Sequence, residues 1–190
     1  RAFFGQMLIE TFLVVFNQTP ADIIVISAAD TEIAALSSAR EGAAEGSLRL
    51  ASLLNLGHNF TIDKYLDDTA SRAKLVVVRV LGGRAYWPYG VEQFAIRLAA
   101  AGIGLALLPG DDKPDPELRE LSNIPDEDYD ALWSYLTEGG PQNAENFLRY
   151  ARAMLTGGER PEPARPLLRA GLYFPGLVSP DLTALRQHWT

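Results

Sequence analysis

The sequence predicts an α/β domain with a doubly wound, mostly parallel sheet and an appended helical hairpin. Three observations carry this prediction. The runs DIIVISAA (Asp22 to Ala29) and KLVVVRVL (Lys74 to Leu81) are continuously apolar and rich in β-branched residues, as expected of strands covered on both faces. Segments with helical apolar periodicity alternate with such runs, which implies parallel pairing through right-handed crossovers. Beyond Gly110 the alternation stops, and two amphipathic helices follow each other across Gly139, Gly140 and Pro141.

Taken in order, the first apolar run is MLIETFLVVF (Met7 to Phe16). Glu10 and Thr11 interrupt it, it is too short to span a bilayer, and no small-residue cleavage site follows, so an edge strand or hairpin is expected. Arg1 is not an initiator methionine, so the chain is read as processed or as a piece of something longer. Asp22 to Ala29 is the first strand. Asp30 is placed as the cap of a helix through TEIAALSSAR, closed by Gly42 and Gly46. SLRLASLLNL (Ser47 to Leu56) is a second strand candidate that is equally compatible with a helix. In TIDKYLDDTASRA, Ile62, Tyr65, Leu66, Ala70 and Ala73 share a helical stripe, with Thr61 as N-cap.

Lys74 to Leu81 is the third strand. Trp87, Val91, Phe94 and Leu98 then recur at steps of four, three and four, so a helix faces the sheet. IGLALLPG (Ile103 to Gly110) is the fourth strand. These units fit the flavodoxin-like strand order 2-1-3-4, in which the connections leaving strands one and three diverge to opposite faces and open a crevice at the carboxyl edge. Ala28 to Thr31 and Gly82 to Tyr89 are expected to line it. Further on, Tyr129, Leu132, Trp133 and Leu136 form one stripe, and Ala144, Phe147, Leu148, Ala151 and Leu155 another. Residues 1–155 are therefore assigned to one α/β domain with its hairpin and 156–168 to an extended linker. Residues 169–190 are assigned to the truncated start of a following domain, with a strand candidate at Arg169 to Phe174 and a helix begun by Ser179 and Pro180.

A chain of 190 residues, 47% hydrophobic, can bury a sizeable core. Its 24 acidic against 17 basic residues, a formal charge of -7, argue against a nucleic-acid partner, and no membrane partner is expected. The absence of cysteine removes disulfides, thiolate metal sites and thiol nucleophiles, in keeping with a reducing, cytoplasmic setting.

The turn GGRAYWPYG concentrates the candidate chemistry. Gly82 and Gly83 permit unusual backbone angles, and Pro88 suits the first position of the next helix. Arg84 precedes that helix N-terminus, and Tyr86, Trp87 and Tyr89 offer planar faces with polar tips. Together they suit a flat ligand bearing carboxylates gripped by the Arg84 fork. The structural alternative is a tight turn with packed aromatics and Arg84 paired to an acid such as Asp30. Asp30, Glu32, Asp111 and Asp112 near the carboxyl edge are oxygen-ligand candidates for a hard cation, and His58 is an imidazole candidate for a transition metal; each also has a simpler structural use, so no metal site is assigned. No phosphate-cradling glycine loop and no G-x-S-x-G nucleophile motif is present.

The segments QTPADIIVISAADTEIAAL, LRLASLLNLGHNFTIDKY, AKLVVVRVLGGRAYWPYGVEQF, LALLPGDDKPDPEL and RAGLYFPGL resemble the N-terminal region of aerobic cobaltochelatase large subunits, the CobN family, relatives of the magnesium chelatase large subunit. GGRAYWPYG and LPGDD are the most specific of these segments, and the resemblance runs from about Gln18 onward. It implies a role in cobalamin (vitamin B12) biosynthesis: ATP-dependent, ligase-type insertion of Co²⁺ into the tetrapyrrole hydrogenobyrinic acid a,c-diamide. In that setting the large subunit binds macrocycle and metal, and two AAA+ type partners hydrolyse Mg-ATP. Members of the family are many times longer than this chain, so no catalytic residue is carried over and no cofactor is expected on this segment alone. Two rival readings are a docking module that positions the rest of the subunit or the AAA+ partners, and a flavodoxin-like binder of a small ligand.

Overall fold

A computed structural model describes residues 18–41, 48–167, 176 and 182–188. The expected hairpin at Met7 to Phe16, the stop at Gly42 and Gly46, the strand Arg169 to Phe174 and the helix start at Ser179 and Pro180 lie outside the described residues. The elements run β1 (Ile23–Ser27), α1 (Asp30–Glu41), β2 (Leu48–Ser52), α2 (Asn59–Asp68), β3 (Leu75–Val80), α3 (Pro88–Ala100), β4 (Gly104–Pro109), α4 (Pro116–Glu120), α5 (Asp126–Glu138), α6 (Pro141–Thr156) and α7 (Leu182–His188). The four strands form one parallel sheet of order β2-β1-β3-β4, the predicted arrangement.

Both faces of the sheet are covered, which is why β1 and β3 lack alternation: every residue of each is buried. Ile24, Ile26, Val76 and Val78 pack toward one layer, with Ile62, Tyr65 and Leu66 of α2 and Val91, Phe94 and Leu98 of α3. Ile23, Val25, Val77, Ala106 and Leu108 pack toward the other, with Leu36 of α1 and the α5–α6 hairpin. Successive side chains thus feed two separate cores.

Local chemistry moves several boundaries. The segment Ser47 to Leu56 divides: Leu48–Ser52 pairs as a strand, then Leu53–Leu56 tightens into a 3-10 turn. Helix α2 begins two residues before Thr61, with His58 at its N-cap position, and Thr61 Oγ1 instead donates to the His58 carbonyl at 2.9 Å. Asp30 is the first residue of α1 and not its cap. The Ala29 carbonyl accepts the Glu32 and Ile33 amides, while Ser27 Oγ accepts the Ala29 amide at 3.0 Å.

The edge strand β4 is closed by side chains. Asn123 Oδ1 accepts the Leu105 amide at 2.6 Å, Asn123 Nδ2 donates to the Ile103 carbonyl, and Ser122 Oγ accepts the Leu107 amide. The Tyr129 hydroxyl donates to the Leu107 carbonyl at 2.8 Å, so the exposed backbone ladder that invites edge-to-edge pairing is already occupied. After α6, residues 158–167 have no regular secondary structure yet fold back on the hairpin. Asn143 pairs both its amide groups with the Arg165 backbone, at 2.8 and 2.9 Å, and Tyr135 donates to the Glu162 carbonyl at 2.7 Å. Arg160 bonds Asp128 and the Tyr150 hydroxyl. The stretch expected as a linker is therefore a strap across α5 and α6 over its described length.

Candidate functional site

Helices α1 and α3 leave the adjacent strands β1 and β3 on opposite faces of the sheet, so the expected switch point lies at their carboxyl ends. Gly82 and Gly83 make the turn after β3 with φ of 85° and 68°, angles that favour glycine. A Cβ at Gly83 would stand 2.8 Å from Asp115 Oδ2, whose other oxygen caps α4 by accepting the Glu117 and Leu118 amides.

The aromatic turn separates its four residues. Arg84 and Tyr86 lie in a 3-10 turn and face solvent, Tyr86 with 58% of its surface exposed. Arg84 Nη1 is 2.7 Å from Glu117 Oε1, so its acid partner is Glu117 and not Asp30. Trp87 is in the core, its indole tilted against Phe94 and its Nε1 donating to the Leu56 carbonyl at 2.8 Å. Tyr89 is half-buried, with its hydroxyl 3.0 Å from both oxygens of Asp63. That hydrogen bond, followed by burial, raises the Tyr89 phenol above its ordinary pKa. The turn therefore presents Arg84 and Tyr86 outward, while Trp87 and Tyr89 tie it to the Leu53–Leu56 turn and to α2.

The weak metal candidates stay apart in their uses. His58 is exposed at the start of α2, Asp30 is exposed at the start of α1, and Asp111 is exposed with Oδ1 accepting the Lys113 amide. Among the described residues no group of three or more His, Asp or Glu stands ready to hold a metal ion, so His58, Asp30 and Asp111 do not assemble a ligand set.

A cavity of about 390 Å³ opens at the same carboxyl edge, on the α1 face of the sheet. Ala28, Ala29 and Thr31 line it as expected, but Leu81 stands on the β3 side in place of the Gly82 to Tyr89 turn, and Tyr135, Leu136, Gly139, Gly140 and Ala144 of the hairpin form the far wall. Its polar floor is a buried trio. Arg79 Nη1 lies 2.5 Å from Glu32 Oε1, and Ser27 Oγ donates to Glu32 Oε2 at 2.6 Å. Arg79 Nη2 donates to the Gly110 carbonyl at 3.2 Å. The two charged side chains are only 9% and 14% exposed, so each depends on the other for compensation.

Arg79 was not among the residues singled out from the sequence, and Glu32 was considered only as a metal ligand. A signal was available. Arg79 is the lone charge inside a strand buried on both faces, and such a charge requires a partner. Its identity depends on which face position 79 takes. Sharing the parity of Leu75 and Val77, Arg79 points toward α1, where Glu32 waits in the first turn.

Comparison with known proteins converges on one family. No family model matches the chain. The fold is shared with the catalytic subunit of cobaltochelatase from Mycobacterium tuberculosis at a TM-score of 0.62 and 21% identity, covering 82% of this chain and 12% of that one. The aerobic cobaltochelatase subunit CobN of Sinorhizobium sp is 49% identical over 162 residues, 84% of this chain and 13% of that protein. The same subunit from Pseudomonas aeruginosa is 35% identical over 176 residues, 90% of this chain and 14% of that protein. The chain thus spans a small part of the length of these relatives, and with identities of 49% and 35% over most of its own residues it belongs to the CobN family of aerobic cobaltochelatase subunits.

Proposed function

We propose that this chain is a non-catalytic α/β segment of a cobaltochelatase large subunit, whose parent protein inserts Co²⁺ into hydrogenobyrinic acid a,c-diamide during cobalamin biosynthesis. In this reading cobalt is a substrate, two AAA+ type subunits supply Mg-ATP hydrolysis, and the reaction takes place in the cytoplasm. The observation that carries the proposal is the 49% identity to CobN over 162 residues.

The contribution proposed for this segment is contact with the macrocycle through Arg84 and Tyr86. Trp87 and Tyr89, held by the Leu56 carbonyl and Asp63, keep the turn in shape beneath them. Arg84 shares an exposed ion pair with Glu117, at 43% and 55% side-chain exposure. Exposed pairs of this kind are screened by solvent and contribute little, so a carboxylate arm can displace Glu117 readily. Titration of the chain with the macrocycle, followed by tryptophan quenching, tests this directly. Saturable quenching is expected, weakened about tenfold by Arg84→Ala for the loss of one charge-assisted contact.

One feature favours docking as a second reading. Leu54, Phe60, Leu81 and Tyr86 are each more than half exposed and all follow the carboxyl ends of β2 and β3. Apolar groups of that size on one rim suit burial against another protein surface. A folded wild-type chain that fails to quench with the macrocycle favours this reading over ligand contact.

A further inference from the structure

We propose that the cavity at the β1–β3 switch point binds a small uncharged ligand or ligand arm with an apolar body and an adjacent donor and acceptor, as in a carboxamide. The inference stands apart from the role given to Arg84 and Tyr86, which do not line this cavity. Its volume, about 390 Å³, falls in the range of about 300–1,000 Å³ typical of small-molecule sites. Its walls are chiefly apolar, with Leu36 from α1, Leu81 after β3 and Leu136 from α5 among the lining residues.

The polar floor decides the charge of the occupant. Arg79 and Glu32 neutralise each other at 2.5 Å in a buried setting. An anion placed against Arg79 also meets the Glu32 carboxylate, and a cation placed against Glu32 also meets the guanidinium, so the paired floor offers no net charge in return for an ion's lost hydration. The anion preference of the α1 N-terminus is already met by Asp30 and Glu32 in its first turn. Hydrogen-bonding capacity nevertheless remains. A guanidinium has five N–H donors, and Arg79 uses one on Glu32 and one on the Gly110 carbonyl among the described residues. Each Glu32 oxygen accepts one bond and retains a further lone pair. A carboxamide supplies the complement, a carbonyl for Arg79 and an N–H for Glu32, without adding charge. Leu81, 54% exposed at the margin, leaves an entrance.

Benzamide, benzoate and benzamidine share one shape and differ in charge, so they separate the alternatives. Each is titrated into the 190-residue chain while the methyl NMR signals of Leu36, Leu81 and Leu136 are followed. Benzamide is expected to give saturable shifts at these methyls, with the two ions at least about tenfold weaker. Glu32→Gln leaves Arg79 uncompensated and is expected to reverse the order in favour of benzoate. Leu81→Trp fills the entrance from a largely exposed position and is expected to abolish the benzamide shifts at Leu36 and Leu136 while the remaining spectrum is preserved. Wild-type binding of benzoate or benzamidine as tightly as benzamide overturns the proposal. So does the absence of saturable shifts with all three, or benzamide affinity unchanged in Leu81→Trp.

Discussion

Replacing Gly90 by alanine sets helix propensity against packing. The residue lies in the first turn of α3, where alanine should stabilise the helix by up to about 1 kcal/mol. The tertiary structure opposes this, because a Cβ at Gly90 would stand only 2.0 to 2.3 Å from Cε2, Cζ2 and Cδ2 of the Trp87 indole. That ring is buried and packed on Phe94 at 5.2 Å between centroids, so it cannot yield by a few tenths of an ångström. Moving it strains the surrounding core by about 1–3 kcal/mol and breaks the indole bond to the Leu56 carbonyl, worth about 1 kcal/mol. After the propensity gain, Gly90→Ala should destabilise the chain by about 1–3 kcal/mol net. Urea denaturation followed by far-ultraviolet circular dichroism reads the midpoint without relying on tryptophan emission. In a Trp87→Leu background the penalty should largely vanish, since the two residues are in contact. A Gly90→Ala variant as stable as the wild type would refute the reasoning.

Three further outcomes follow from the same contacts. Gly83→Val should lower the melting temperature, at a cost of about 1–3 kcal/mol, because φ is 68° and the new side chain meets the Asp115 carboxylate that caps α4; an unchanged melting temperature would contradict it. Asn143→Ala removes both bonds to the Arg165 backbone and one to the Gly139 carbonyl, so elastase, which cuts after small residues, should cleave the Ala164–Arg165 bond well before the sheet is attacked, a difference visible by mass spectrometry. Alkaline stability should fall early. Burial, with the hydrogen bond to Asp128 second, pushes the Tyr150 phenol up to about 12, and burial raises Tyr65 and Tyr129 as well. The folded state therefore keeps protons that the unfolded chain releases near pH 10, so this stabilisation is complete below pH 10 and is lost as pH rises toward 12. Urea midpoints that stay level from pH 9 to 12 would show that these phenols do not contribute.

The four-stranded parallel sheet was legible in the sequence because its signal is local. Isoleucine and valine runs without alternation mean burial on both faces, and the periodic segments between them force crossovers. The same logic identified the Trp87, Val91, Phe94 and Leu98 stripe and the break at Gly139, Gly140 and Pro141. Where a segment was short and uniformly apolar, as in Ser47 to Leu56, no period could separate strand from helix, and pairing of Leu48–Ser52 with β1 settled it.

The composition of the aromatic turn was evident, but the direction of each side chain was not. Trp87 belonged at once to the turn and to the core stripe, and packing against Phe94 together with the Leu56 carbonyl placed it inside. Arg84 could have met several acids, and it met Glu117, 33 residues away on a short helix that the acidic run did not announce. The cavity lay further still from any local signal, because its floor joins residues 47 apart in sequence and its far wall comes from the hairpin. Periodicity by itself determined the layers of this protein, since burial on a strand or helix repeats every two or three to four residues. Only the tertiary structure decided which charges meet and which surfaces remain open, since those depend on the register and rotation of elements that touch only after the chain has folded.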